Sequence, residues 1–225
     1  MFKRVLRARL TAGLLFALVL PALPLRAEEP PNINPVKAAL KAYIDSTNYQ
    51  KDIAAVALQA NKYLVKRIPR GATKNKKLAI VFDIDETTLS NLSQITSHDF
   101  GYVPKDWDAW VAAGRAPAIV PVQTIYDTAV RGKIDVFFIT GRKESERAST
   151  ERNLRDVGYD TWTKIFFKPT TDVTLTTKGF KIDTRRKLQL EGYVIIANVG
   201  DQDSDLTGGY AERSFKLPNP FYYIK

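Results

Sequence analysis

Leu78-Ala79-Ile80-Val81-Phe82-Asp83-Ile84-Asp85-Glu86-Thr87 decides the fold. Residues 78–82 are all apolar and of strand length, and an unbroken apolar run predicts a parallel strand buried on both faces. The run ends abruptly in acids. Two others follow the same pattern. Ile134-Asp135-Val136-Phe137-Phe138-Ile139 leads into Thr140-Gly141-Arg142, and Tyr193-Val194-Ile195-Ile196-Ala197-Asn198-Val199 leads into Gly200-Asp201-Gln202-Asp203-Ser204-Asp205. Lys164-Ile165-Phe166-Phe167 is a shorter candidate strand. Helices are expected near 121–131, 143–157 and 178–191. Strands alternating with helices make βαβ units, so the fold class is α/β with a mainly parallel sheet flanked by helices.

Outside this alternation lie three other segments. Residues 35–67 read as one helix, with Ile53, Val56, Ala57, Ala60 and Leu64 on one face, ended by Pro69 and Gly71. Residues 90–120 hold Phe100, Tyr102, Trp107 and Trp110 and read as an insertion after the first strand. Residues 1–27 read as a cleavable signal peptide: a basic start, an uncharged run over 10–25 interrupted by Pro21 and Pro24, and a cleavage site after Ala27. That run is shorter than the roughly 20 residues that span a bilayer. The expectation is export to a periplasm or the exterior, with no stable membrane association once the signal is removed.

Composition narrows the chemistry. The 225 residues include no Cys and one His, His98. Disulfides, thiolate metal sites and thiol nucleophiles are excluded, and so are sites that need a pair of histidines. The formal net charge of +10 overstates the basic character. The signal segment holds Lys3, Arg4, Arg7, Arg9 and Arg26 and no acid, leaving 29 basic against 24 acidic residues in the rest. The lysines at 74, 76 and 77 read as a solvated loop rather than the dense stripe of a nucleic-acid binder, so no nucleic-acid polymer is expected as partner. The mild positive balance favours small anionic substrates. Asn91-Leu92-Ser93 matches a glycosylation acceptor, a short and unspecific motif.

Chemistry is expected at the carboxyl ends of the strands, where open parallel sheets place their sites. Three polar loops would converge there. Asp83, Asp85 and Asp201 together would suit one hard cation such as Mg²⁺, which takes a few carboxylates, water and a substrate phosphate. Without a cation, such neighbouring carboxylates raise one another's pKa.

Val81-Phe82-Asp83-Ile84-Asp85-Glu86-Thr87 resembles the first motif of the haloacid dehalogenase (HAD) superfamily. The chain from about residue 35 onward is similar to its class B-type acid phosphatases, subfamily IIIB, a branch that includes plant vegetative-storage-protein-like phosphatases. The resemblance rests on Asp83 to Asn91, Trp107-Asp108-Ala109-Trp110, Ala116-Pro117-Ala118, Ile139-Thr140-Gly141-Arg142, Gly200 to Leu206 and Phe215-Lys216-Leu217-Pro218-Asn219-Pro220. It implies a Rossmann-like HAD domain over 28–225, with an N-terminal helical extension (35–68) and a small cap (90–120). It implies Asp83 as nucleophile and metal ligand, and Asp85 as general acid and base that also binds the metal through its carbonyl. Thr140, Gly141 and Lys181 would bind phosphate. Asp201 would bind Mg²⁺, and Asp205 would orient a water on it. The implied activity is Mg²⁺-dependent hydrolysis of phosphomonoesters, 5′-nucleotides among the candidates, through an aspartyl-phosphate. Related class B enzymes are often oligomeric, which makes a homo-oligomer one of the implied states.

Several points stay open on sequence alone. Phe180-Lys181-Ile182 departs from the Tyr-Lys-Ser usual in this branch, and Lys178, one helical turn earlier, competes with Lys181. Arg142 reads equally as a phosphate contact or a salt-bridge partner, Asp203 as a loop residue. Trp107 and Trp110 read first as anchors of the insert and second as stacking surfaces. The same residues would serve a phosphotransferase. A catalytically weak storage or binding protein is the other alternative, and the presence of Asp83, Asp85, Lys181 and Asp201 together speaks against it.

Overall fold

The computed structural model describes residues 30–171 and 174–224. The signal segment and its cleavage site lie outside the described residues. Among the described residues, no helix is long and apolar enough to cross a membrane.

Five strands form one sheet: β1 (Lys77–Phe82), β2 (Asp135–Lys143), β3 (Lys164–Lys168), β4 (Tyr193–Gly200) and β5 (Ser214–Lys216). Their order is β3-β2-β1-β4-β5 and every neighbouring pair is parallel. The helices are α1 (Ile33–Asp45), α2 (Asn48–Arg67), α3 (Leu92–Ser97), α4 (Pro104–Ala113), α5 (Val120–Arg131), α6 (Arg147–Asp156), α7 (Thr177–Leu190) and the single turn α8 (Asp203–Leu206).

Successive strand residues point to opposite faces, and the core divides accordingly. Ile80, Phe82, Val136 and Phe138 pack into the larger cluster with α2 and α5, through Ile53, Ala57, Leu64, Val122 and Ile125. Ala79, Val81, Phe137, Ile139 and Ile195 pack with Phe180 and Leu188 of α7 on the other face. Both faces of β1 are therefore apolar, which is why its sequence shows no alternation. Leu64, fully buried, joins α2 to this core. Leu64→Ala is expected to destabilise the protein by about 2–5 kcal/mol, read by denaturant unfolding. A loss under about 1 kcal/mol would mean that α2 contributes little to the packed core.

The structure departs from the sequence reading in three places. Residues 35–67 are two helices, not one. Asp45-Ser46-Thr47-Asn48 is a run of residues whose side chains compete for the backbone. Ser46 Oγ donates to the Tyr43 carbonyl at 3.0 Å, and Thr47 turns left-handed at φ 65°. The helix expected from 143 begins at Arg147, because β2 stays extended through Lys143, which pairs with Lys168 of β3. The edge strand β5 was not expected, since three residues with a single buried side chain carry no periodicity.

The segment after β1 leaves and returns through one pinch. Ser90 N–H donates to the Pro117 carbonyl at 2.9 Å, Ile119 N–H donates to the Thr88 carbonyl at 3.0 Å, and Leu89 bridges Ala118. Helices α3 and α4 lie between these points.

Candidate active site

Adjacent parallel strands end at the same edge, so β1, β2 and β4 deliver their following residues to one crevice. After Phe82 the chain turns tightly. The N–H groups of Thr88 and Leu89 both donate to the Ile84 carbonyl at 2.9 Å, and Glu86 takes a left-handed φ of 52°. This turn lets Asp83 and Asp85 both line one cavity of about 420 Å³. Gly141, Arg142, Lys181, Asp201 and Asp205 line the same cavity.

Asp83 is buried against Lys181, whose ammonium donates to Asp83 Oδ1 and, at 2.6 Å, to Asp205 Oδ1. Lys181 stands in the second turn of α7, after Thr176, whose Oγ1 caps the helix by accepting the Gly179 N–H at 3.0 Å. Lys178 of the same helix is exposed. Asp201 follows β4 directly. Its Oδ1 accepts from Thr87 Oγ1 at 3.0 Å, and its Oδ2 accepts from Gln202 Nε2 and Asn219 Nδ2, both at 2.7 Å. Asp205 Oδ2 accepts the Gln202 N–H at 2.8 Å.

Asp83, Asp201 and Asp205 are all buried, and each offers an oxygen within 4.8 Å of the others. The electrostatics of this trio are those of a site short of positive charge. Burial holds the Asp83 carboxyl well above its usual range, with Asp205 and Asp201 adding to the effect and Lys181 opposing it. Burial, then Asp205, pushes Asp201 up to about 6. Burial draws Lys181 down, but Asp205 and Asp83 outweigh it and the ammonium is held above its ordinary value. One lysine faces three carboxylates, and a divalent cation fits the remaining charge and the all-oxygen donor set.

Asp85 is placed differently. Its carboxylate lies outside this trio and meets Arg142, whose Nη2 donates to Oδ1 at 2.7 Å and whose Nε donates to Oδ1 at 3.1 Å and Oδ2 at 3.2 Å. Arg142 is held in turn by Thr150 Oγ1 at 3.0 Å. Arg142 therefore forms a salt bridge with the partly buried Asp85 while also lining the cavity. Thr140 is fully buried, with its Oγ1 accepting the Arg142 N–H at 3.1 Å, while Gly141 faces the cavity. Asp203 is exposed at the start of α8. His98 pairs with Asp106 at 2.9 Å and does not line the cavity.

Much of the cavity lining is aromatic. Phe100, Tyr102 and Trp107 come from the segment after β1, and Phe221, Tyr222 and Tyr223 from the chain after β5. Trp107 and Trp110 divide the two roles weighed for them, since Trp107 lines the cavity while Trp110 Nε1 donates to Asn91 Oδ1 at 2.8 Å. Asn91 is fully buried with its amide engaged, which overturns the glycosylation-acceptor match. Glu86, Asn219 and Tyr222 had no role on sequence, and Asn91 had only the glycosylation match. Asn91 and Asn219 fall within the motifs quoted above, but nothing in composition or spacing distinguishes them.

A family model described as HAD superfamily, subfamily IIIB (acid phosphatase) matches residues 26–225. The chain is 37% identical over 193 residues to a stem 28 kDa glycoprotein of Glycine max, covering 83% of this chain and 74% of that protein. It is 35% identical over 189 residues to acid phosphatase 1 of Solanum lycopersicum, covering 82% and 73%. It is 31% identical over 203 residues to vegetative storage protein 1 of Arabidopsis thaliana, covering 86% and 73%. Among solved structures, the class C acid phosphatase from Bacillus anthracis shares the fold, with a TM-score of 0.68 and 24% identity over 83% of this chain and 86% of that one.

Proposed function

The chain belongs to subfamily IIIB of the HAD superfamily, the acid phosphatases, and from this premise we propose that it hydrolyses phosphomonoesters through an aspartyl-phosphate on Asp83. The observation that carries this reading is the pairing of buried Asp83 with the Lys181 ammonium at the floor of the cavity that Asp85 also lines. In the first step Asp83 attacks phosphorus, the bond to the leaving oxygen breaks, and Asp85 gives that oxygen its proton. In the second step Asp85 takes a proton from water, the water oxygen attacks phosphorus, and the Asp83–phosphorus bond breaks to release phosphate. Lys181 and the Gly141 N–H would hold the phosphoryl oxygens, Thr140 supporting that loop from below, so that charge is met by groups already in place.

The metal assigned to this site would be Mg²⁺, which Asp83, the Asp85 carbonyl and Asp201 would hold, with Asp205 beside them. When bound it would neutralise charge on the phosphoryl group. The raised Asp83 and Asp201 carboxyls support a cation here.

The segment 90–120 is proposed as a cap. Its Phe100, Tyr102 and Trp107, which line the cavity together with Tyr223, favour flat leaving groups, with 5′-nucleotides among them. Export directed by residues 1–27 is part of this reading. The name "glycoprotein" carried by the soybean relative supports it.

The test is hydrolysis of p-nitrophenyl phosphate by residues 28–225 between pH 4 and 8. Activity is expected with Mg²⁺, and EDTA is expected to lower it by at least about 100-fold, with recovery on adding Mg²⁺ back. Activity indifferent to EDTA would remove the metal from the mechanism. No hydrolysis of this or any nucleotide by the folded protein would overturn the phosphatase reading and favour the storage alternative.

A further inference from the structure

Asp85 is held from two sides, and only one of them is a charge. Arg142 is the first. The second is Asn91, whose Nδ2 donates to Asp85 Oδ1 at 2.9 Å and to Glu86 Oε2 at 3.2 Å. The orientation of this amide is fixed. Its oxygen accepts from Trp110 Nε1 at 2.8 Å, and an indole N–H can only donate. A flipped amide would set two N–H donors against the indole and turn its oxygen toward two carboxylates. Glu86 is itself anchored by the Asn91 backbone N–H and by Tyr222, whose hydroxyl donates to Oε2 at 2.7 Å. A line of hydrogen bonds therefore runs from the chain after β5 through Glu86 and Asn91 to Asp85, braced by α4. At its end, Oδ1 of Asp85 takes three donors, from Arg142 Nη2, Arg142 Nε and Asn91, while Oδ2 takes only the 3.2 Å contact from Arg142 Nε.

We infer that Asn91, locked by Trp110 and Glu86, is a positioning residue that fixes the Asp85 carboxyl with three donors on Oδ1 and leaves Oδ2, the less engaged oxygen, to carry the proton delivered to the leaving oxygen. This rests on the role of Asp85 given above. Arg142 alone leaves the carboxyl free to rotate about its last bond, because a guanidinium can grip either oxygen. Asn91 removes that freedom, so its contribution belongs to proton delivery and not to phosphate binding.

The leaving group reads this role directly. A good leaving phenol departs without a proton, whereas a poor one needs the acid. The substrates are phenyl phosphates of similar shape whose phenols differ in acidity, and kcat/KM is measured for each because it reports the departure step. For Asn91→Ala, kcat/KM should fall about 5-fold or less for p-nitrophenyl phosphate and about 30-fold or more for phenyl phosphate, within the range general acids contribute. Trp110→Phe keeps an aromatic side chain but removes the five-membered ring with its N–H, the donor to Asn91 Oδ1, and it should steepen the same dependence by a smaller factor. It carries the test if Asn91→Ala does not fold. Asp85→Asn is measured alongside. A steep dependence in Asp85→Asn with a uniform loss across the series in the Asn91 and Trp110 variants would overturn the positioning role and leave the acid in place. A flat dependence in Asp85→Asn would overturn the acid assignment and the inference with it.

Discussion

Asp83→Asn is expected to abolish hydrolysis, lowering kcat/KM for p-nitrophenyl phosphate by about 10⁴-fold or more, as loss of a nucleophile does elsewhere. The change is nearly isosteric. An Asn carbonyl can still accept from Lys181, so the bond at that position survives. It also removes a carboxylate that burial disfavours and that three other acids oppose. The variant should therefore remain folded, with unfolding by denaturant close to the parent protein. The two measurements separate chemistry from structure. Retention of more than about 1% activity in a folded, freshly prepared Asp83→Asn protein would place the nucleophile elsewhere.

Lys181→Met should show the second largest effect, and it should act on both quantities. The methionine keeps most of the volume and removes the ammonium that bonds Asp83 and Asp205, two of the three buried carboxylates. Removing one partner of a buried ion pair leaves the other charge uncompensated, at a cost of about 3–5 kcal/mol. The catalytic loss should be about 10²–10³-fold, the scale for removing one fixed group that meets developing charge. The stability loss has a definite pH sense. Asp83 already titrates above the usual carboxylate range, and without Lys181 its folded-state value rises further above that of the unfolded chain. The variant's deficit should thus be greatest at neutral pH, where the unfolded chain holds Asp83 ionised and the folded state disfavours that charge, and shrink as pH falls and the unfolded chain also takes up the proton. Denaturant unfolding at pH 5 and pH 7 checks this. A deficit that grows on acidification would show that Lys181 is not the compensating charge.

The parts of the fold legible in the sequence were those that repeat a simple physical pattern. β1, β2 and β4 are buried on both faces and so appear as mostly apolar runs, broken only by Asp135 and Asn198, and their order relative to the helices implies parallel pairing. The strand ends then locate Asp83, Asp85, Gly141 and Asp201 at one edge without further information. Lys181 was legible only through the family resemblance, because a lysine on a helix looks the same whether it faces solvent or a buried acid. What stayed hidden was set by contacts distant in the chain. Arg142 meets Asp85, Asn219 meets Asp201, and Tyr222 meets Glu86 across long stretches of chain that the sheet brings together. The break after Asp45 was also missed, since apolar spacing on either side of a short polar run does not report the turn of one residue such as Thr47.

The central place of β1 bears on the order in which the molecule can be assembled during synthesis. β2 and β3 follow β1 along the chain, but on its other side Ala79 pairs with Ile195 of β4, far downstream. A growing chain that ends before Tyr193 presents β1 with one edge unpaired in the middle of the future sheet, next to apolar side chains. Such pairings of high sequence separation close slowly, and unpaired edges invite association with other chains. The catalytic edge cannot exist before that closure either, because Asp201 and Asp205 arrive with β4. Nascent chains should accordingly be protease-sensitive and inactive until β4 is available, and then gain resistance and activity in one step.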